Sequence, residues 1–159
     1  VAIRLNNLAQ LLQATNRLEE VEPLMQRALA IDEASYGPNH PNVARDLNNL
    51  SQLLQDTNRL AEAEPLMRRA LAIDEASYGP ENPRVAIVLN NLAQLLKATN
   101  RLAEAEPLMR RAFVILWKSL GLDHPNTQTG GGNYIALLQE MGLPDPEIQA
   151  KLQALQLPN

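Results

Sequence analysis

The chain contains no cysteine among its 159 residues, and this absence excludes several kinds of chemistry. Disulfide bonds, thiol catalysis and cysteine-ligated zinc all require that side chain. No apolar run approaches the roughly 20 residues that a helix needs to cross a bilayer, and no signal peptide is visible. The formal net charge is only −4 and no basic patch stands out, which argues against nucleic acid and membrane surfaces as partners. The sequence therefore predicts a soluble, cytoplasmic protein.

Aromatic residues are also scarce, with one Phe, one Trp and three Tyr in the whole chain. The apolar content consists mainly of Leu and Ala, accompanied by Glu, Gln and Arg. All five residue types favour helices. We therefore expect an all-α protein, long enough to bury a core.

A short sequence, Leu-Asn-Asn-Leu, recurs at a constant spacing. Its copies lie at residues 5–8, 47–50 and 89–92, each 42 residues after the one before, and a weaker fourth copy survives at Asn133-Tyr134. A fixed period of this size is typical of solenoids, in which each repeat packs only on its neighbours. We predict one array over 1–159, divided into repeats 1–42, 43–84 and 85–126, and a degenerate fourth repeat with a cap over 127–159.

Each repeat holds two helical patterns. In the second repeat, the first pattern is an apolar stripe of Leu47, Leu50, Leu53 and Leu54, spaced for one face of a helix. Proline is favoured at the first helical position, so these helices should begin at Pro41, Pro83 and Pro125. Asn82, His40 and His124 precede them and are interpreted as N-caps. The helix of the second repeat should end near Thr57-Asn58-Arg59, where Asn can adopt the left-handed conformation.

The second pattern should form a helix from about Leu60 to Tyr78, ended by Gly79-Pro80. Pro65 is expected in its first turn, the only part of a helix that tolerates proline well. The side chains expected to point inward are Ala63, Leu66, Met67, Ala70, Leu71 and Ile73. The repeated carboxylates Asp32-Glu33 and Asp74-Glu75 are interpreted as a solvated face.

The end of the array departs from the pattern. Gly130-Gly131-Gly132 replaces Asp46-Leu47-Asn48, and three helix-interior glycines should cost roughly 1 kcal/mol each relative to alanine. We therefore expect the fourth first helix to be frayed or to begin late, near Gly132 or Asn133. The apolar segment Phe113–Leu120 is either covered by residues 133–155 or forms an exposed interface. Asp145-Pro146-Glu147 should start a capping helix that buries Ile148, Leu152 and Leu155.

These repeats resemble the tetratricopeptide repeat, in the 42-residue form found in kinesin light chains. The matching positions are Leu47, Leu50, Ser51, Leu54, Asn58, Leu60, Ala63, Met67 and Ala70, and the blocks H-P-N-V-A, L-N-N-L-A, A-E-A-E-P-L and R-A-L-A-I-D are of the light-chain type. The resemblance covers about 1–142. It implies a right-handed superhelical solenoid of antiparallel helix pairs, ended by the capping helix.

The repeated asparagines are the strongest functional signal. Asparagine is a weak helix former with no packing reason to recur, and its amide both donates and accepts hydrogen bonds, as a peptide backbone does. Helices 8–10 Å apart would let successive asparagines contact about every third residue of an extended peptide. The resemblance places these residues in a concave groove. The expected peptide-binding residues are Asn7, Asn49, Asn91, Asn133, Asn6, Asn48, Asn90, Gln10, Gln52, Gln94, Arg4 and Arg45.

Two further interpretations stay open beside this peptide-binding scaffold. The asparagines could instead, or also, join neighbouring repeats as a polar ladder. The chain could be a structural arm or self-association module of a larger multidomain signalling protein, associating through the Phe113–Leu120 end. Val1 aligns with Val43, so the chain starts inside a repeat and is expected to be part of a longer protein. No catalytic constellation, metal-ligand spacing or cofactor motif appears, so we do not expect an enzyme, a metal site or a cofactor.

Overall fold

The computed structural model describes Leu5 and residues 18–155. Residues 18–155 form seven α-helices, and the described residues contain no strand, which confirms the all-α class. The helices are α1 (Leu18–Tyr36), α2 (Pro41–Asp56), α3 (Leu60–Tyr78), α4 (Pro83–Ala98), α5 (Leu102–Leu120), α6 (Pro125–Glu140) and α7 (Asp145–Ala154). Helices of 16 and 19 residues alternate from α1 to α6. Each pair of one 16-residue and one 19-residue helix corresponds to the two helices predicted for one repeat.

The starts of the 16-residue helices follow from their caps. The His40 and His124 side chains accept hydrogen bonds from the amides of Asn42 and Asn126, both at 3.1 Å. Asn82 does the same for the Arg84 amide at 2.9 Å. These bonds satisfy amides that have no partner within the helix, so the interpretation of both histidines as caps is confirmed.

The predicted helix ends are also confirmed. Asn58 and Asn100 have φ angles of 60° and 59°, the left-handed conformation that asparagine tolerates better than most residues. Gly79 ends α3 with a φ of 86°. A side chain there would be strained, because that conformation brings Cβ close to the backbone.

The prediction for Pro65 is wrong. We expected it in the first turn, but it is the sixth residue of α3, and Pro107 occupies the same place in α5. Proline lacks an amide hydrogen, so the Ala61 carbonyl receives no helical hydrogen bond from position 65. Pro65 is exposed, and water can therefore satisfy that carbonyl.

Two compact units make up the chain, residues 1–80 and residues 81–159. In the first unit, the leucine stripe of α2 is buried as predicted, together with Ala63, Met67, Ala70 and Ile73 of α3. Leu66 and Leu71 are only half-buried. In the second unit, the core lies among α4, α5 and α6 and includes Leu89, Leu92, Met109 and Tyr134. The division into one array over the whole chain stays a prediction.

The interpretation of the repeated carboxylates as a solvated face is wrong for two of them. Asp32 is 4% exposed and Asp74 is 9% exposed. Asp32 lies at the junction of α1 and α2, where its Oδ2 accepts a hydrogen bond from Arg45 Nη2 at 3.2 Å. A buried carboxylate requires such a partner because leaving water costs it much of its solvation energy.

The expectation of a frayed fourth first helix is also wrong, since α6 is continuous from Pro125 to Glu140. A Cβ atom at Gly131 would lie 3.0 Å from Phe113 Cε2, and one at Gly130 would lie 3.1 Å from Leu116 Cδ1. The larger side chains of α5 therefore fill the space that the glycines leave. This packing stabilises α6 against the low helix propensity of glycine.

The predicted capping helix is present as α7, but it buries less than expected. Ile148 is 4% exposed, whereas Leu152 and Leu155 are half-buried. Leu116 is buried, and it lies beside Gly130. We expected residues 133–155 to cover Leu116, but Gly130 comes before that segment. Trp117 is half-buried and stacks on Phe113 at a centroid distance of 5.9 Å.

Candidate functional site

The repeated asparagines lie on the 16-residue helices. Asn48 and Asn49 are on α2, Asn90 and Asn91 are on α4, and Asn133 is on α6. All five are half-buried. The asparagines of α2 and α4 follow a buried leucine by one or two positions, and Asn133 follows the buried Gly131 by two. The same helical spacing that puts these buried positions in the core therefore puts the amides at its edge. Gln94 is half-buried and Gln52 is exposed.

One pair of asparagines is joined directly. Asn133 Nδ2 donates to Asn90 Oδ1 at 3.1 Å, linking α6 to α4 within the second unit. The bond uses one of the two donors of Asn133. Its Oδ1 and the Nδ2 group of Asn90 make no other hydrogen bond within the described residues. The pair therefore still presents an acceptor and donors, the complement of a peptide group.

A cleft of about 240 Å³ lies next to this pair. Ile87 and Asn90 border it from α4, and the floor includes Leu116 of α5. Ile87 is 47% exposed and places an apolar side chain at the edge of the cleft. The cleft is lined by Ala86, Ile87, Asn90, Leu116, Asn126, Thr129 and Gly130. An apolar floor beside unused amide groups can accept a side chain and the peptide bond next to it.

Sequence reasoning missed the α6 side of this cleft. Gly130 replaces Val88 of the preceding repeat, and Leu116 of α5 fills the place of the missing side chain, so that both residues line the cleft. We interpreted the glycines only as helix breakers. A glycine facing an enlarged apolar residue of the neighbouring helix is a signal that could have identified the cleft.

Arg45 differs from the other predicted site residues because aspartates of its own chain hold it. Its guanidinium is 3.2 Å from Asp32 Oδ2 and 3.0 Å from Asp46 Oδ1. A ligand would have to compete with both carboxylates. The predicted site residues Arg4, Asn6, Asn7 and Gln10 lie outside the described residues.

Ionisable groups of the second unit form a separate cluster around α5. Tyr134 is buried, and its hydroxyl donates to Glu106 Oε1 at 2.8 Å. Burial and this bond raise the pKa of the Tyr134 phenol well above its usual range. The described residues contain no cluster of three metal-ligating side chains, and none of their helices is long and apolar enough to cross a membrane.

The family model for the tetratricopeptide repeat matches residues 1–76 and 53–116, which together are more than half of the chain. The chain belongs to the tetratricopeptide repeat family. The resemblance identified from the sequence is therefore confirmed. Members of this family are generally non-catalytic scaffolds, and the fold suggests a role in protein–protein interaction. The comparison with curated protein sequences gave no match.

Solved structures of this tetratricopeptide fold are similar over most of the chain. BtubC (BKLC) from P. vanneervenii has a TM-score of 0.81 at 23% identity, over 89% of this chain and 56% of that one. A Podosopora anserina protein assigned as a kinesin light chain, with nearly identical TPR-like repeats, has a TM-score of 0.82 at 22% identity. That match covers 98% of this chain and 76% of the other. The chain thus spans just over half the length of BtubC, and identities this low show the fold alone.

Proposed function

We propose that this protein is a non-catalytic scaffold that binds an extended peptide segment along the asparagine-bearing helices α4 and α6. The observation that carries the proposal is the Asn133–Asn90 pair, whose remaining acceptor and donors match one peptide group. The adjacent cleft of about 240 Å³ offers an apolar place for a neighbouring side chain. The family's general role in protein–protein interaction supports the same function.

The hydrogen bond between Asn133 and Asn90 also supports the polar-ladder interpretation. The two roles are compatible, because the bond orients both amides and leaves the remaining groups fixed in direction. A side chain that is already ordered loses less conformational entropy when a ligand binds. We therefore propose that the hydrogen bond between these asparagines also holds their side-chain amides in place for the peptide.

The test is a comparison of the wild type with an Asn90→Ala/Asn133→Ala variant. Partners are captured from lysate of the source organism, and the bound segment is mapped with overlapping peptides. The affinity for the mapped peptide is then measured by fluorescence anisotropy. We expect the variant to bind about 30-fold more weakly, since it loses two hydrogen bonds that contribute about 1 kcal/mol each.

Gln139→Ala serves as the matched control, because Gln139 is exposed on α6 and borders neither the pair nor the cleft. Circular dichroism checks the fold of both variants. Equal binding by wild type and double variant would refute the proposed groove. A similar loss with Gln139→Ala would show that the effect is not specific to the asparagines.

A second candidate function is self-association through the Phe113–Leu120 end, within a structural arm. Phe113, Ile115 and Leu116 of this segment are buried inside the second unit, but Leu120 is 37% exposed and the nearby Leu122 is 53% exposed. Sedimentation velocity over a wide concentration range tests this function. A constant monomer mass would contradict it, whereas a dimer that dissociates in a Leu120→Asp/Leu122→Asp variant would support it.

A further inference from the structure

A second cleft, of about 330 Å³, lies along α5 and shares no lining residue with the cleft beside the asparagine pair. The α5 residues that border it recur every three or four positions, so they form one stripe on the helix. Glu81 and the end of α7 close its sides. The cleft is lined by Glu81, Pro107, Arg110, Arg111, Val114, Ile115, Lys118, Ala154 and Leu155.

Positive charge exceeds negative charge around this cleft, although the chain as a whole carries a net charge of −4. Three cations and one carboxylate stand among the lining residues, and one of the cations, Arg111, already has an interaction within the chain. Lys118 has no ion pair within the described part of the chain. Cations beside an apolar floor attract an anionic group more strongly than fully solvated ones do, because the floor excludes part of the screening water.

Glu106, which lies near Arg110, does not balance this excess. Its Oε1 accepts a hydrogen bond from Tyr134 and lies 3.8 Å from both Arg110 Nε and Lys151 Nζ. One carboxylate is therefore shared by two cations and a phenol. The long ion-pair distances leave the Arg110 guanidinium available to a stronger acceptor.

The cleft is not a simple consequence of repetition. The first eleven residues of α3 and α5 are identical, including both arginines, and the two helices diverge after that point. Val114 then replaces Ala72, which enlarges the apolar floor, and Lys118 replaces Ala76, which adds a positive charge. Both substitutions favour a ligand that carries an apolar side chain and a negatively charged group.

We propose that this cleft docks a segment of a partner protein in which an apolar side chain is flanked by carboxylates. The apolar side chain packs on Val114, Ile115 and Leu155, and the carboxylates pair with Arg110 and Lys118. The lengths of the arginine and lysine side chains let their heads reach such groups while their stems cover the floor. This inference concerns a different surface from the asparagine pair and does not depend on it.

The test uses the full 159-residue chain and three blocked pentapeptides with a fluorescent label. The first has a central leucine between two pairs of aspartates, the second replaces the leucine by alanine, and the third replaces the aspartates by lysines. We expect the first peptide to bind most tightly, with an affinity that falls as salt is raised. Absence of binding up to about 1 mM, or equal binding of all three peptides, would overturn the proposal.

The matched variants are Arg110→Ala and Arg68→Ala. The two arginines occupy equivalent positions and each has a glutamate four residues earlier, but only Arg110 lines the cleft. We expect Arg110→Ala and Lys118→Ala each to weaken binding of the acidic leucine peptide by roughly two- to fivefold, and Arg68→Ala to leave it unchanged. All three side chains are exposed, so the variants should fold.

Backbone amide NMR then locates the peptide. Shifts concentrated between 107 and 118 agree with the proposal. Shifts centred on Asn90 and Asn133 instead would overturn it, since the peptide would then occupy the asparagine cleft. An equal loss of binding in Arg68→Ala would also overturn it, because the attraction would be a general charge effect.

Discussion

Equivalent helix junctions in the two units use different chemistry. At the junction of α1 and α2, Asp32 and Asp46 are buried and Arg45 bonds to both. At the junction of α5 and α6, 84 residues later, Leu116, Gly130 and Thr129 occupy the same three positions. All three charged positions of the first junction are thus uncharged in the second. Repeat spacing decides which positions face each other, but not whether they are polar or apolar.

The neighbouring layer differs in the same way. In the first unit, Leu29 of α1 and Leu47 of α2 occupy positions that in the second unit hold Phe113 and Gly131. The first position has a larger side chain in the second unit, and the second position has no side chain there. A Cβ atom at position 131 would lie 3.0 Å from the Phe113 ring. The total volume of the layer is therefore roughly kept, which close-packed interiors tolerate well.

The largest effect should come from placing a charge in the apolar junction. Leu116→Asp should lower the free energy of unfolding by about 4 kcal/mol, because it removes a buried side chain and buries a carboxylate with no arginine at position 129. The reverse change, Asp32→Leu, should cost only about 1 kcal/mol, since Arg45 is 41% exposed and can be hydrated. Urea unfolding measures both. Equal costs would show that the two junctions are not chemically distinct.

Restoring the leucine of the earlier repeats should also destabilise the second unit. Gly131→Leu should cost about 1–3 kcal/mol because its side chain must displace the Phe113 ring. Phe113→Leu alone should cost about 1 kcal/mol through lost packing. The double variant should recover most of the loss. A double-mutant cycle in urea gives the coupling, and simple additivity of the two costs would contradict the exchange of volume described here.

Tyr134 takes the place of Leu92 and Leu50, and its hydroxyl should contribute less than the packing around Gly131. Tyr134→Phe keeps the ring and removes the bond to Glu106, so we expect a loss of about 1 kcal/mol near neutral pH. The folded protein raises the pKa of this phenol. In the unfolded chain it ionises near pH 10.

The contribution of the neutral phenol is therefore fully present below about pH 10 and decreases as the pH rises further. The wild type should lose stability faster than Tyr134→Phe above that pH. Thermal unfolding at several alkaline pH values makes the comparison. Parallel curves for the two proteins would show that the raised pKa contributes nothing to stability.

The smallest effect should be a gain. Thr127 is fully buried and no group of the described residues bonds its Oγ1, whereas Val43 and Val85 occupy the equivalent positions. Thr127→Val keeps the shape and removes the unsatisfied hydroxyl, so it should stabilise the protein by about 0.5–1 kcal/mol. Thr129→Val is the control, because Thr129 is exposed and its hydroxyl already donates to the Pro125 carbonyl. Destabilisation by Thr127→Val would indicate that the hydroxyl has a partner.

The candidate site was predictable in part. The period of the Leu-Asn-Asn-Leu motif identified Asn90 and Asn133, because positions that share a repeat share a face of their helices. It could not predict that these two amides bond to each other, since that depends on the distance between α4 and α6. Neither cleft was predictable, because each requires side chains from three separate segments of the chain.

Local signals in the sequence were sufficient for the helices other than α6, for the caps at His40 and Asn82, and for the helix ends at Asn58 and Gly79. These features depend on hydrogen bonds and backbone angles within a few residues. Only the tertiary structure decided that Asp32 is buried against Arg45 and that α6 continues through three glycines. Both outcomes arise from contacts between helices, where a neighbouring side chain supplies the charge or the volume that the local sequence lacks.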